Sequence, residues 1–299
     1  MEELAIEVRG LRKTYDDFVA VDGIDFEVRR GEIFGLLGPN GAGKTTTLEC
    51  LEGLRDADEG EMLVGGVDPG SNRKKLYRGI GVQLQSGSLP GYMTVREALR
   101  LFGAHRGVTP DPGIPARLGL AEHMDTQYAA LSTGQKRRTD LALAILHRPG
   151  VLFLDEPTAG LDVSTRIALH GIIEELRESG TTVILSTHDM AEAEELADRV
   201  AILIRGRIAA IGSPRDLTAT GHGMTRISAR TTGASLGCGA FADFRPEGEY
   251  FVGFTTTPGP AVMRIMDHIS RAGDTLVDLR VERPSLEERF LEMVRDESA

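Results

Sequence analysis

Three observations predict an α/β fold built on a parallel sheet. Apolar runs of strand length at residues 33–37, 151–154, 183–186 and 200–204 show no polar alternation, as strands covered on both faces require. Helical periodicity separates them. It is clearest over 164–179, where Leu169, Ile172, Ile173 and Leu176 recur at helical steps before Gly180. A glycine-rich turn follows the first run and leads into a helix from about Lys44. Strands that alternate with helices need crossovers, and crossovers give parallel pairing.

In chain order, the first thirty residues alternate. Leu4, Ile6 and Val8, then Val19 and Val21, then Ile24, Phe26 and Val28 predict short antiparallel strands. Residues of about 91–149 read as a mostly helical subdomain, broken over 109–115 by Pro110, Pro112, Gly113 and Pro115. Gly212-Ser213-Pro214 closes the first unit, which is expected to span 1–217. The remainder, 218–299, reads as a small α+β domain. After a Gly-, Ser- and Thr-rich stretch over 221–239, it offers a strand near 250–255 and a helix carrying Val262, Ile265, Met266 and Ile269. A strand near 276–281 and a last helix from Ser285, with Leu286, Phe290, Met293 and Val294, complete it. A chain of 299 residues suits two such units.

Charge and cysteine use narrow the function. The formal net charge is −11, a poor balance for gripping nucleic acid, so no nucleic-acid partner is expected. Five lysines survive among 34 basic residues: Lys13, Lys44, Lys74, Lys75 and Lys136. Cys50 and Cys238 have no partner ligands at metal spacing, which excludes a disulfide framework. No basic leader opens the chain, and no apolar stretch reaches the ~20 residues of a bilayer span. A membrane role is therefore expected to come through a partner.

Gly38-Pro39-Asn40-Gly41-Ala42-Gly43-Lys44-Thr45 fits G-x-x-x-x-G-K-[ST]. Glycines let successive backbone N–H groups turn inward around phosphate oxygens, and the helix N-terminus adds its dipole. Lys44 supplies a point charge for the β- and γ-phosphates, and Thr45 offers a hydroxyl to Mg²⁺. The run 151–154 ends in Asp155 and Glu156, carboxylates at the strand edge that faces a ligand crevice. Asp155 is expected to hold Mg²⁺ and Glu156 to polarise an attacking water. Together these motifs predict a P-loop protein that hydrolyses a nucleotide.

Leu131-Ser132-Thr133-Gly134-Gln135 narrows the kind. Here the chain resembles the nucleotide-binding subunits of ABC transporters, whose signature reads Leu-Ser-Gly-Gly-Gln; Thr133 departs from it. The resemblance covers roughly residues 4–217. It implies a RecA-like P-loop NTPase core with an antiparallel β subdomain and a helical subdomain, and ATP with Mg²⁺ as ligands. Thr46 joins the phosphate loop. Tyr15 matches the aromatic that stacks on adenine. Gln85 matches the glutamine that reaches Mg²⁺, with Gln83 the alternative. Ala159-Gly160-Leu161-Asp162 matches the loop that crosses to a second subunit, although Asp162 also reads as a helix N-cap. His188 matches the histidine at the γ-phosphate.

The same resemblance implies a head-to-tail dimer of two copies, each phosphate loop facing Ser132 and Gly134 of the other. Segments 187–196 and 283–291 look like the drug- and sodium-exporter branch (daunorubicin-resistance-like, ABC-2 type). There the ATPase powers a separate integral membrane permease and sits peripherally at the cytoplasmic face of the membrane. Between Gln85 and about Gly103, Leu89, Tyr92 and Met93 give a loop apolar content that a permease helix could meet. The competing expectation is a soluble ATPase of the same type acting on a non-membrane partner. Such proteins usually carry two signature sets in one chain or a long coiled coil, and this chain has neither.

Overall fold

The computed structural model describes residues 3–85, 89–220, 225–233, 235–237, 244–282 and 285–296. It divides into two compact units, Met1–Ser213 and Pro214–Ala299, a little ahead of the expected boundary at 217 and 218. Cys238, Gly87, and Arg283 and Pro284 of the exporter-like segment lie outside the described residues.

In the first unit a three-stranded antiparallel sheet, ordered β2-β1-β4, comprises β1 (Leu4–Tyr15), β2 (Phe18–Arg29) and β4 (Glu59–Val64). The expected short strands are instead two long ones. Register shifts between Val8 and Leu11 and between Leu11 and Lys13 break the alternation without ending the strand, so one bulged strand reads as several. Asp16, at φ 50°, turns the hairpin between Tyr15 and Phe18.

The six-stranded sheet runs β5-β6-β7-β3-β8-β9. Its strands are β3 (Ile33–Leu37), β5 (Ile80–Gln83), β6 (Val151–Asp155), β7 (Thr182–Thr187), β8 (Arg199–Ile204) and β9 (Arg207–Gly212). All pairs are parallel except β8 with β9. Every residue of β3, β6 and β7 is buried, as their unbroken apolar runs require. One core joins both sheets through α1 (Lys44–Leu51), and Phe26 of β2 stacks on Phe34 of β3 at 5.5 Å.

The other helices of this unit are α2 (Arg73–Gly79), α3 (Val95–Arg106), α4 (Gly113–Arg117), α5 (Thr133–Ile145), α6 (Val163–Glu178) and α7 (Met190–Leu196). The break expected over 109–115 stops at Pro112. Pro115 sits in the first turn of α4, where a missing N–H costs nothing. Thr94 and Glu97 form a capping box at the start of α3.

The second unit holds α8 (Pro214–Thr220) and a sheet ordered β11-β12-β10-β13, with β10 (Thr225–Thr231), β11 (Phe244–Glu247), β12 (Tyr250–Thr255) and β13 (Leu276–Glu282). Helix α9 (Pro258–Arg271) buries Ala261, Ile265 and Ile269 against Ile227 and Ala229 of β10. Met266, expected on that apolar face, is exposed. In α10 (Leu286–Asp296), Leu286 and Met293 are buried.

Candidate nucleotide site

The turn between β3 and α1 is shaped by its glycines. A Cβ on Gly38 would run into the carbonyl oxygen of Leu203, and one on Gly43, at φ 102°, into that of Ala20. Only glycine lets this backbone pass so close to its neighbours. Lys44, though buried, bonds no carboxylate. Its Nζ donates to the carbonyls of Gly38 at 2.8 Å and Pro39 at 3.2 Å. Burial pulls the ammonium below its ordinary pKa, and Glu156 and Asp155 oppose that pull. A cation held by carbonyls alone in a loop of turned-in amides is suited to an anionic ligand.

Asp155 ends β6 and is buried, with both oxygens engaged. Thr45 Oγ1 donates to Oδ2 at 3.2 Å, and Ser186 Oγ donates to Oδ1. Thr45 and Asp155, expected together at a metal, meet across the gap between α1 and β6. Their oxygens are the hard donors that Mg²⁺ takes alongside substrate phosphates. Among the described residues there is no cluster of three or more His, Cys, Asp or Glu side chains, so an all-protein metal cage is not on offer.

Glu156 follows in a left-handed conformation, φ 47°, which costs a non-glycine residue of order 1 kcal/mol. Its backbone N–H donates to the Ser186 carbonyl at 3.1 Å. That bend aims the side chain away from the sheet, and both oxygens are met there. Gln85 Nε2 donates to Oε2 at 3.1 Å, and His188 Nδ1 lies 3.0 Å from Oε1. Gln83 and Gln85 are thereby separated. Gln83 lies within β5, paired with Leu154, and is buried with neither amide atom hydrogen-bonded. Gln85 stands past the strand end and reaches the carboxylate.

A crevice of about 370 Å³ opens over these groups, lined by Tyr15, Asn40, Gly41, Gly43, Lys44, Thr45, Thr46, Gln85 and Glu156, together with Phe18 and Ala20. Ala42 is buried behind the turn. The Tyr15 ring has the Arg55 guanidinium 5.0 Å and the Lys13 ammonium 5.8 Å from its centroid. Phe18 was missed by sequence reasoning. Its part shows only in the fold, where it stands 59% exposed at the hairpin end that borders the crevice. Ser186 was missed too. It reaches Asp155 only through the register of β6 on β7.

Ser132, Thr133, Gly134, Gln135 and Asp162 do not line this crevice. Ser132 caps α5. Its hydroxyl accepts from Gln135 N–H at 3.2 Å, and Gln135 Oε1 accepts from Ser132 N–H at 2.8 Å. Gln135 Nε2 lies 2.8 Å from His123 Nε2. A Cβ on Gly134 would sit 2.8 Å from Thr165 Cγ2, so the starts of α5 and α6 are in close contact. Asp162 is the N-cap of α6. It accepts from Ser164 Oγ at 2.6 Å and from Thr165 N–H at 3.0 Å, bonds that hold its carboxyl far below the usual carboxylate range. The motif residues thus form two clusters, one around Glu156 and one at the paired helix starts.

Comparison with known proteins points to one family. The family model described as ABC transporter matches residues 21–159. Nod factor export ATP-binding protein I of Ralstonia nicotianae is 41% identical over 219 residues, 71% of this chain and 68% of that protein. A fluoroquinolones export ATP-binding protein of Mycobacterium tuberculosis is 41% identical over 77% of this chain and 78% of its own. A linearmycin resistance ATP-binding protein of Bacillus subtilis is 36% identical over 76% and 75%. Among solved structures, an ATP-binding subunit of an ABC transporter gives a TM-score of 0.67 at 29% identity, covering 71% of this chain and 91% of that one.

Proposed function

Because the chain belongs to the ATP-binding subunits of ABC transporters, we propose that its crevice hydrolyses ATP with Glu156 as the carboxylate that polarises the attacking water. Hydrolysis powers a separate membrane permease, and the names of the relatives favour export of a drug-like or other small amphipathic compound. One observation carries the reading of the site. Glu156 is bent out of the sheet, with one oxygen on Gln85 and the other facing His188. A carboxylate fixed at both oxygens beside a phosphate-binding turn is placed for general-base work.

In this reading Lys44 is the cation at the β- and γ-phosphates, and Tyr15, with Phe18 beside it in the lining, offers the aromatic platform for the base. His188, its side chain 54% exposed beside Glu156, is the histidine read as meeting the γ-phosphate. Mg²⁺, when bound, would neutralise charge between the phosphate oxygens, and Thr45, Asp155 and Gln85 would hold it.

Ser132 to Gln135 and Asp162 complete the chemistry only from a second copy, so the working form is a head-to-tail dimer. Among the described residues no helix is long and apolar enough to cross a membrane. On the family's arrangement, the chain sits peripherally at the cytoplasmic face of the membrane, held by the permease. Tyr92, 75% exposed, with half-buried Leu89 and Met93 beside it, is the surface offered to that partner.

Two measurements test this reading. The purified chain should hydrolyse Mg-ATP. A pull-down from detergent-solubilised membranes should recover an integral membrane protein at equal stoichiometry. A ribosome or nucleic acid in its place would overturn the transporter assignment. Tyr92→Asp should lose the permease while the isolated subunit keeps its ATPase rate.

A further inference from the structure

Glu192 lies in the first turn of α7, almost fully buried, and no part of it lines the crevice. Its Oε1 accepts from Thr158 Oγ1 at 2.6 Å, a bond closed to solvent. Thr158 is two residues beyond Glu156, on the loop that runs to Asp162. His170 of α6, also buried, sets Nε2 3.5 Å from the same oxygen and Nδ1 3.2 Å from Glu195 Oε2. Neither approach has the angle of a full hydrogen bond, so His170 acts on these carboxylates as a close polar neighbour.

The ties continue outward. Glu192 N–H donates to Asp189 Oδ1 at 3.2 Å, and Asp189 Oδ2 takes Arg166 of α6 at 3.2 Å. Asp189 N–H in turn donates to Thr187 Oγ1 at 3.0 Å. Burial pushes the Glu192 carboxyl up, but the His170 ring close by and the Thr158 and Thr187 hydroxyls more than reverse this and hold it below its ordinary value. A buried carboxylate is expensive in stability, and an apolar residue would fill the same space without that cost. A carboxylate supplies what an apolar residue lacks, a directed acceptor that fixes where two separate loops lie.

We propose that Glu192 is a positioning residue for ATP hydrolysis, latching the loop after Glu156 to the helix after His188. Glu156 and His188 face each other at 3.0 Å, Glu156 ahead of the loop to Asp162 and His188 just ahead of α7. Glu192 joins those loops on the side away from the crevice, and His170 and Arg166 brace the joint against α6. With the latch closed, His188 and the Asp162 loop keep one spacing about Glu156. With it open, each settles separately and ATP still binds, because Thr158, His170 and Glu192 are not among the residues that line the crevice.

The inference rests on the hydrolytic reading above. Turnover by the parent, and its loss in Glu156→Gln, test that reading alone, so a failed latch against a hydrolysing parent counts only against the latch. The experiment compares Glu192→Gln, Thr158→Val and Thr158→Ser in the full chain, by Mg-ATP turnover and by titration with a fluorescent ATP analogue. Glu192→Gln and Thr158→Val should lower kcat roughly 10- to 100-fold while affinity stays within about twofold. Thr158→Ser keeps the hydroxyl and should return turnover to near the parental rate. If Glu192→Gln does not fold, Thr158→Val decides, since it removes one hydroxyl and leaves the charge in place. Unchanged kcat in these variants, or affinity falling in step with kcat, overturns the proposal.

Discussion

Two turns in the first unit open helices, and their polar groups are satisfied in opposite ways. At the turn before α1, Lys44 stays on the turn's own carbonyls, but the groups that face the crevice draw their partners from far along the chain. Thr45 meets Asp155 from 110 residues away, and Glu156 is met from just beyond the ends of β7 and β5. The turn before α5 satisfies itself, with Ser132 and Gln135 closing a box three residues apart and Ser132 and Thr133 left exposed. The first brings together groups that already hold one another in place. The second is a finished surface, rigid and locally capped, whose outward groups are unused within the chain. On the dimer reading, the difference separates what one chain can bind from what two chains must do together.

The largest expected effect tests the first half of that contrast. Glu156→Gln keeps the shape but loses the carboxylate, and turnover should fall by ~10²–10⁴ while ATP still binds. Size-exclusion chromatography in Mg-ATP should then find a trapped dimer. A variant that turns over at the parental rate would move the base elsewhere. Next comes Lys44→Ala, which should weaken ATP binding roughly 10²-fold, because it removes a buried cation whose only described partners are two carbonyls. Equilibrium titration measures this, and unchanged affinity would take Lys44 out of the site.

Ser132→Ala sharpens the second half. It removes the cap of α5, at about 1 kcal/mol of stability. ATP affinity should match the parent, while turnover falls roughly tenfold, a loss of one hydrogen bond to a charged ligand. If affinity drops as it does in Lys44→Ala, the two turns serve one crevice within one chain and the contrast is wrong.

The same contrast decides what could be read from sequence. The phosphate turn was legible because its chemistry is local: glycines, Lys44 and Thr45 stand together in the chain. The continuous strands β3, β6, β7 and β8 were legible because burial on both faces removes polar alternation. Strands β4, β5, β9, β10 and β11 were not. Ile80-Gly81-Val82-Gln83 is short, and its glycine is needed because a Cβ would run into the carbonyl of Ala144. In β10 the residues Thr225, Ser228 and Thr231 hide Ile227 and Ala229 in a polar composition. The choice between Gln83 and Gln85 and the part of Ser186 depend on strand ends and register, which only the folded sheet supplies.

The smallest expected effect concerns a carboxylate that breaks the pattern. Glu52 caps the C-terminal end of α1, on the helix that carries Lys44 and Thr45, and it is almost fully buried. Whereas Asp155, Glu156 and Glu192 each accept from named donors, neither Glu52 oxygen is hydrogen-bonded. Burial first, then the charges of Asp155 and Glu49, push its pKa from 4.5 to about 8. The folded chain therefore keeps a proton between these values that the unfolded chain releases. The unfolded state binds fewer protons across that window, so this group makes stability fall as pH rises from about 4.5 to about 8, and the effect levels off above. Glu52→Gln carries no such proton. Near pH 5 the variant should match the parent, and at pH 8 it should be more stable by about 1–2 kcal/mol, as relief of an uncompensated buried charge permits. Urea melts of both proteins at the two pH values measure it. An equal difference at both would mean that Glu52 is charged throughout, and that this unpartnered carboxylate is no exception among those around the crevice.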